Sequence, residues 1–132
     1  MKIAVAYEEG RVPVTVFQVE GSITVDNYER LQQKAESVVR DGTHCILLDL
    51  AGVSLLSSAG LRAIHYVFNL LRTDLPTESN KAVQKGMKDG TFKSPHLKIV
   101  NPRKQALSTL EMAGYDMFLD IYSDRQEALA SF

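Results

Sequence analysis

The sequence predicts a mixed α/β domain: a mostly parallel sheet, opened by an antiparallel β-hairpin and covered by about four helices. Three observations carry this. Two β-branched runs near the N-terminus are joined by a short turn. A near-continuous apolar run, His44-Cys45-Ile46-Leu47-Leu48-Asp49-Leu50, has the pattern of a central strand covered on both faces. Beyond it, strand patterns alternate with helical ones, which implies parallel crossovers. A chain of 132 residues suits one such domain and is too short for two independent cores.

Residues Ile3 to Tyr7 and Val12 to Glu20 read as the hairpin strands, with Glu8-Glu9-Gly10-Arg11 as the turn. Pro13 cannot donate to a ladder, so it belongs at a strand start or an open edge. A helix follows, with Asp26 as N-cap, Glu29 completing a capping box, and Tyr28, Leu31, Ala35 and Val38 as its apolar stripe. Asp41-Gly42 closes it.

After the central strand, Ala51 to Leu56 reads as a connection into a second helix beginning near Ser57, with Leu61, Ile64, Phe68 and Leu71 facing inward. The next strand is Leu97 to Val100. Asn101-Pro102 then reads as a cap and a proline at the first helical position. Ala106, Leu107, Leu110 and Ala113 form the stripe of that helix, and Gly114 ends it. Phe118 to Tyr122 reads as the last strand, and Ser123 as the cap of a short terminal helix. The segment from Thr73 to His96 holds prolines, glycines and four lysines with few apolar residues, and reads as a flexible insertion.

Composition excludes several classes. A hydrophobic fraction of 45% and a charged fraction of 23% are those of a folded soluble domain. The formal net charge of -1 offers no global attraction to nucleic acid or to an anionic membrane. No run approaches the ~20 apolar residues of a membrane span, so a cytoplasmic location is expected. Cys45 is the single cysteine, which rules out an internal disulfide, and His44, His65 and His96 lack metal-ligand spacing. No Walker-type or Gly-x-Gly-x-x-Gly loop is present, and no cofactor is expected. A hydrolase triad of Ser58, His65 and Asp49 fails, since seven residues along a helix is about 10.5 Å of rise. Asp49 reads as an acceptor for loop N–H groups.

The run Leu56-Ser57-Ser58-Ala59-Gly60-Leu61 carries the remaining chemistry. Hydroxyls at a helix start meet unpaired backbone N–H groups and the positive end of the helix dipole, so a phosphate there would find donors. Gly60 would leave the first turn uncrowded for an approaching protein. The plainer reading of the same residues is capping by Ser57, with Ser58 solvated.

The stretch from Ile46 to Leu61, together with the strand-helix order, resembles the STAS domain family (sulfate transporter and anti-sigma factor antagonist). In the family's antagonists the serine two residues before the glycine accepts phosphate. The resemblance therefore implies a non-enzymatic bacterial switch in transcription regulation with Ser58 as the acceptor and Ser57 as an alternative. Its implied partners are an ATP-dependent anti-sigma factor that is also a serine kinase, and a metal-dependent serine phosphatase. Unphosphorylated, such a protein captures the anti-sigma factor; phosphorylated, it lets go. The resemblance places Ser57, Ser58, Gly60, Gly21, Ser22 and Thr24 at the docking surface. Ser57 and Thr24 stand where many members carry acids. A constitutive STAS scaffold, with Ser58 as a mere helix residue, is the alternative.

Overall fold

The computed structural model describes residues 1–73 and 93–132, so the expected insertion lies largely outside the described residues. Among them, five strands stand in the order β1-β2-β3-β4-β5. Strand β1 (Lys2–Glu9) pairs antiparallel with β2 (Pro13–Ile23), and β3 (Ile46–Leu56), β4 (Leu97–Val100) and β5 (Ile121–Tyr122) follow in parallel. The helices among the described residues are α1 (Tyr28–Arg40), α2 (Ser58–Thr73), α3 (Lys104–Met112) and α4 (Arg125–Ala130), with a 3-10 turn at Tyr115–Met117. This is the mixed α/β architecture the sequence predicts.

Strand alternation divides the core between two faces. Phe17, Val19, Ile23, Ile46, Leu48 and Leu50 pack with Leu31, Ala35, Ile64, Phe68, Ala106 and Leu110, so α1, α2 and α3 share one face. Val14, Val16 and Leu47 point the other way and meet Ala128 and Leu129 of α4. The central strand is thus covered on both sides, as its apolar run requires. Pro13 opens β2, where its missing N–H costs no ladder bond.

The structure corrects several boundaries. Strand β3 does not end at Leu50; Ala51 to Leu56 continues it alongside the lengthened β2, through register shifts between Gln18 and Glu20 and between Gly21 and Ser22. Two bulges let both strands bend together, with Gly21 taking φ +92. Gly52 sits so close to β2 that a Cβ would lie 2.9 Å from the Val19 carbonyl oxygen. The cap of α1 is Asn27 rather than Asp26, and that of α3 is Arg103 rather than Asn101, whose φ of 56 bends the chain before the helix. The last strand shrinks to two residues: Phe118 and Leu119 are buried beside the 3-10 turn, not within a ladder. Asp124 caps α4 in place of Ser123, accepting the Gln126 N–H at 2.9 Å.

Candidate functional site

The two longest strands end side by side, with Ser22 opposite Leu55 and Ile23 opposite Leu56. Beyond this point β2 enters a turn and β3 enters α2. Ser57 ties the two exits together. Its N–H donates to the Ile23 carbonyl at 3.1 Å, and its hydroxyl donates to the same oxygen at 2.7 Å. The same Oγ accepts the Gly60 N–H at 3.3 Å, so Ser57 is the cap of α2. Both polar functions of this hydroxyl are therefore committed within the fold.

Ser58 is the first residue of α2 and is exposed. Its hydroxyl has no hydrogen-bond partner among the described residues, and it sits at the helix end where N–H groups lack intrahelical acceptors. Gly60 corrects the reading of an uncrowded first turn. It is buried and faces inward, and a Cβ there would stand 2.6 Å from Leu56 Cδ1 and 3.0 Å from Ile23 Cγ2. The glycine brings the helix start close onto the strand ends; it presents no surface to a partner.

The turn after β2 is built by Asn27. Its Oδ1 accepts the Thr24 N–H at 2.9 Å, and its Nδ2 donates to the Ser22 carbonyl at 2.9 Å. Thr24 Oγ1 accepts the Asp26 N–H at 3.3 Å, and the Thr24 carbonyl accepts from Tyr28 at 3.0 Å. Across the strands, the Ser22 and Ser54 hydroxyls meet at 3.1 Å. Gly21, Ser22 and Thr24 are half-buried, while Val25 and Leu55 stand out at 68% and 42% exposure. These two apolar side chains give this end of the sheet a surface that single-residue patterns did not mark.

On the other flank, Gln105 of α3 holds the last residue of β3 as a paired strand would. Its Oε1 accepts the Leu56 N–H at 2.7 Å and its Nε2 donates to the Leu56 carbonyl at 3.1 Å. Nothing in the spacing around Gln105 signals this, because the two residues are 49 positions apart. Asp49 accepts the N–H of Ala51 at 3.0 Å, a bond within β3 rather than one to a loop.

Four residues beyond Ser58, Arg62 is exposed and lies 5.7 Å from the centre of the Tyr28 ring. His65 is half-buried against Phe68, Tyr115 and Phe118, with Asn69 Nδ2 3.2 Å from its Nδ1. Burial, with a smaller push from the Arg72 charge, holds the imidazole below its ordinary pKa. It is a packed helix residue. No group of three or more His, Cys, Asp or Glu that could hold a metal occurs among the described residues, and no helix there is long and apolar enough to cross a membrane.

Similarity to known proteins agrees with this geometry. Residues 4–74 match the family model of the STAS domain. No curated protein sequence matches. Among solved structures, a Thermotoga maritima protein, a candidate anti-sigma factor antagonist, superimposes with a TM-score of 0.69 at 17% identity, over 94% of this chain and 90% of that one. An anti-sigma factor antagonist from Mycobacterium paratuberculosis gives 0.66 at 22% identity, over 98% and 93%. The antagonist SpoIIAA in its unphosphorylated form gives 0.66 at 13% identity, over 95% and 92%, and SpoIIAA of Bacillus in its phosphorylated form gives 0.58 at 15%, over 95% and 96%. At these identities the structural likeness speaks for the fold, and the family model, which spans more than half of the sequence, speaks for descent. The chain belongs to the STAS domain family.

Proposed function

We propose that this protein is an anti-sigma factor antagonist, a non-enzymatic cytoplasmic switch that binds an anti-sigma factor through the surface around Ser58 and releases it when Ser58 is phosphorylated. The observation that carries the proposal is the contrast between two adjacent hydroxyls. Ser57 is bound on both sides within the fold, whereas Ser58 is exposed, without a hydrogen-bond partner among the described residues, and placed at a helix start. The kinase is the ATP-dependent anti-sigma factor itself, and a metal-dependent phosphatase reverses the step.

The physics of the switch follows from position. Val25 and Leu55 supply apolar area, Ser22 and Thr24 a polar margin, and Ser58 lies on the helix start that adjoins them. A phosphate adds about -1.5 to -2 charges to this surface, so docking would require desolvating a dianion. The fold need not change. SpoIIAA, which shares the fold, exists in both phosphorylated and unphosphorylated forms.

Calorimetric titration of the cognate anti-sigma factor into wild type, Ser58→Ala and Ser58→Asp tests the role. The alanine variant is expected to bind like wild type and the aspartate variant about ten- to a hundredfold more weakly. Equal binding by all three would instead favour a constitutive scaffold.

A further inference from the structure

Strand β1 forms an edge of the sheet, and its outer side carries no strand among the described residues. Edge strands are ordinarily protected by being short, or by a bulge, a proline or an inward charge. β1 has none of these. It is eight residues long, Lys-Ile-Ala-Val-Ala-Tyr-Glu-Glu, and pairs with β2 without a register shift along its whole length. Its charges are confined to its ends, and Tyr7 is 72% exposed.

The direction of its free backbone groups follows from its neighbours. Thr15 donates its N–H toward β3, to the Cys45 carbonyl at 2.9 Å, so the next residues, Val14 and Val16, turn their backbone groups toward β1. Their register partners Glu8 and Ala6, and Ala4 opposite Gln18, are therefore the residues bonded inward. Ile3, Val5 and Tyr7 direct N–H and C=O outward.

We infer that β1 is a homodimerisation edge, pairing antiparallel with β1 of a second copy about a two-fold axis at Val5. In that register the outward-bonding residues meet one another: Val5 faces Val5 of the second copy, and Ile3 faces Tyr7. Ala4 faces Ala6 at the close-spaced positions, where small side chains fit. Lys2 faces Glu8, whose carboxylate also pairs with Arg125 of α4 at 3.2 Å, so opposite charges meet at both ends of the ribbon. Shifting the register by two residues in either direction opposes Lys2 to Ala6, or Ala4 to Glu8, and loses this match.

The receiving surface is already shaped. Ile3 lies beside a depression of about 330 Å³ lined also by Arg30, Gln33, Lys34 and Ser37 of α1. Ile3 and Val5 face the core that α1 helps to build, so Tyr7 of the second copy enters on that side, its ring against Ile3 and within reach of the two cations. A single strand pair buries less than a stable dimer usually does, so the dimer is weak and concentration-dependent.

Sedimentation velocity of the full chain between micromolar and millimolar concentration tests this. Wild type is expected to pass from monomer to dimer, and Tyr7→Lys, which alters an exposed side chain, to weaken the dimer about tenfold or more. Lys2→Glu weakens it as well, and adding Glu8→Lys together with Arg125→Glu restores it, because the charges are exchanged both across the dimer and in the Glu8–Arg125 pair. A wild type that stays monomeric throughout, or a triple variant no better than Lys2→Glu alone, overturns the inference.

Discussion

The Ser57 hydroxyl donates to the Ile23 carbonyl at 2.7 Å, joining the start of α2 to the last residue of β2. Because the same oxygen accepts the Gly60 N–H, one side chain both caps the helix and sets its distance from the sheet. Ser57→Ala is expected to destabilise the fold by about 1–2 kcal/mol, the combined effect of a lost cap and an unsatisfied N–H. Urea unfolding followed by circular dichroism would measure it. Ser57→Asp keeps the accepted bond but turns a carboxylate toward a carbonyl, so it is expected to recover less than the full loss.

Gly60→Ala sets helix propensity against packing. Alanine favours a helix over glycine by about 1 kcal/mol. Here, however, the added methyl would meet Leu56 at 2.6 Å and Ile23 at 3.0 Å, both almost wholly buried. Overpacking of this kind typically costs about 1–3 kcal/mol, so a net loss of stability is expected in the same unfolding assay. A gain would mean that Leu56 can turn aside freely.

Much of this arrangement was legible in the sequence, and the exceptions have physical causes. Strand β4 and the inward stripe of α2 follow directly from apolar periodicity. The outer half of β3 did not, because Gly52 and Ser54 interrupt the apolar run. The bulges that keep this half paired each place one extra residue in β3, between Asp49 and Gly52 and between Val53 and Leu55, and that insertion breaks the two-residue alternation. Phe118 and Leu119 mimic a strand because they are buried, yet their burial comes from packing beside the 3-10 turn. At the site, the family resemblance ranked Ser58 above Ser57 as acceptor, but residue spacing gave no physical ground for the choice. That ground is the position of the Ile23 carbonyl, 34 residues away in sequence, which commits the Ser57 hydroxyl, while that of Ser58 has no partner among the described residues.

Gln105 was invisible for the same reason. It holds both backbone groups of Leu56, one residue before the cap of α2. Gln105→Ala leaves that N–H and carbonyl short of a partner and is expected to cost about 1–3 kcal/mol. Hydrogen exchange of the Leu56 amide should accelerate more than that of Leu48 in the same strand.

His65 gives the stability a pH dependence of defined sign. Its folded-state pKa lies below its ordinary value of 6.5, so the unfolded chain binds the proton more readily. Its contribution is therefore complete above pH 6.5 and is lost as pH falls through the lower folded value. Between pH 7 and 5, His65→Gln is expected to lose less stability than wild type does, measured as the midpoint of urea unfolding at each pH.

Negative charge on Ser58 has opposite effects on the isolated domain and on its complex. At a helix start it meets the positive end of the dipole, and Arg62 stands one turn further on. Ser58→Asp is expected to raise stability by about 0.3–1 kcal/mol in the isolated protein while weakening partner binding. Thermal unfolding beside the binding titration separates a local electrostatic effect from damage to the fold.

The central claim is that Ser58 accepts the phosphate. Phosphopeptide mass spectrometry, after incubation of the full chain with its cognate kinase and ATP, reads this directly. A single phosphate on Ser58 is expected, abolished by Ser58→Ala and retained in Ser57→Ala. Phosphate on Ser57, or neither serine modified while the kinase remains active on another substrate, would contradict it.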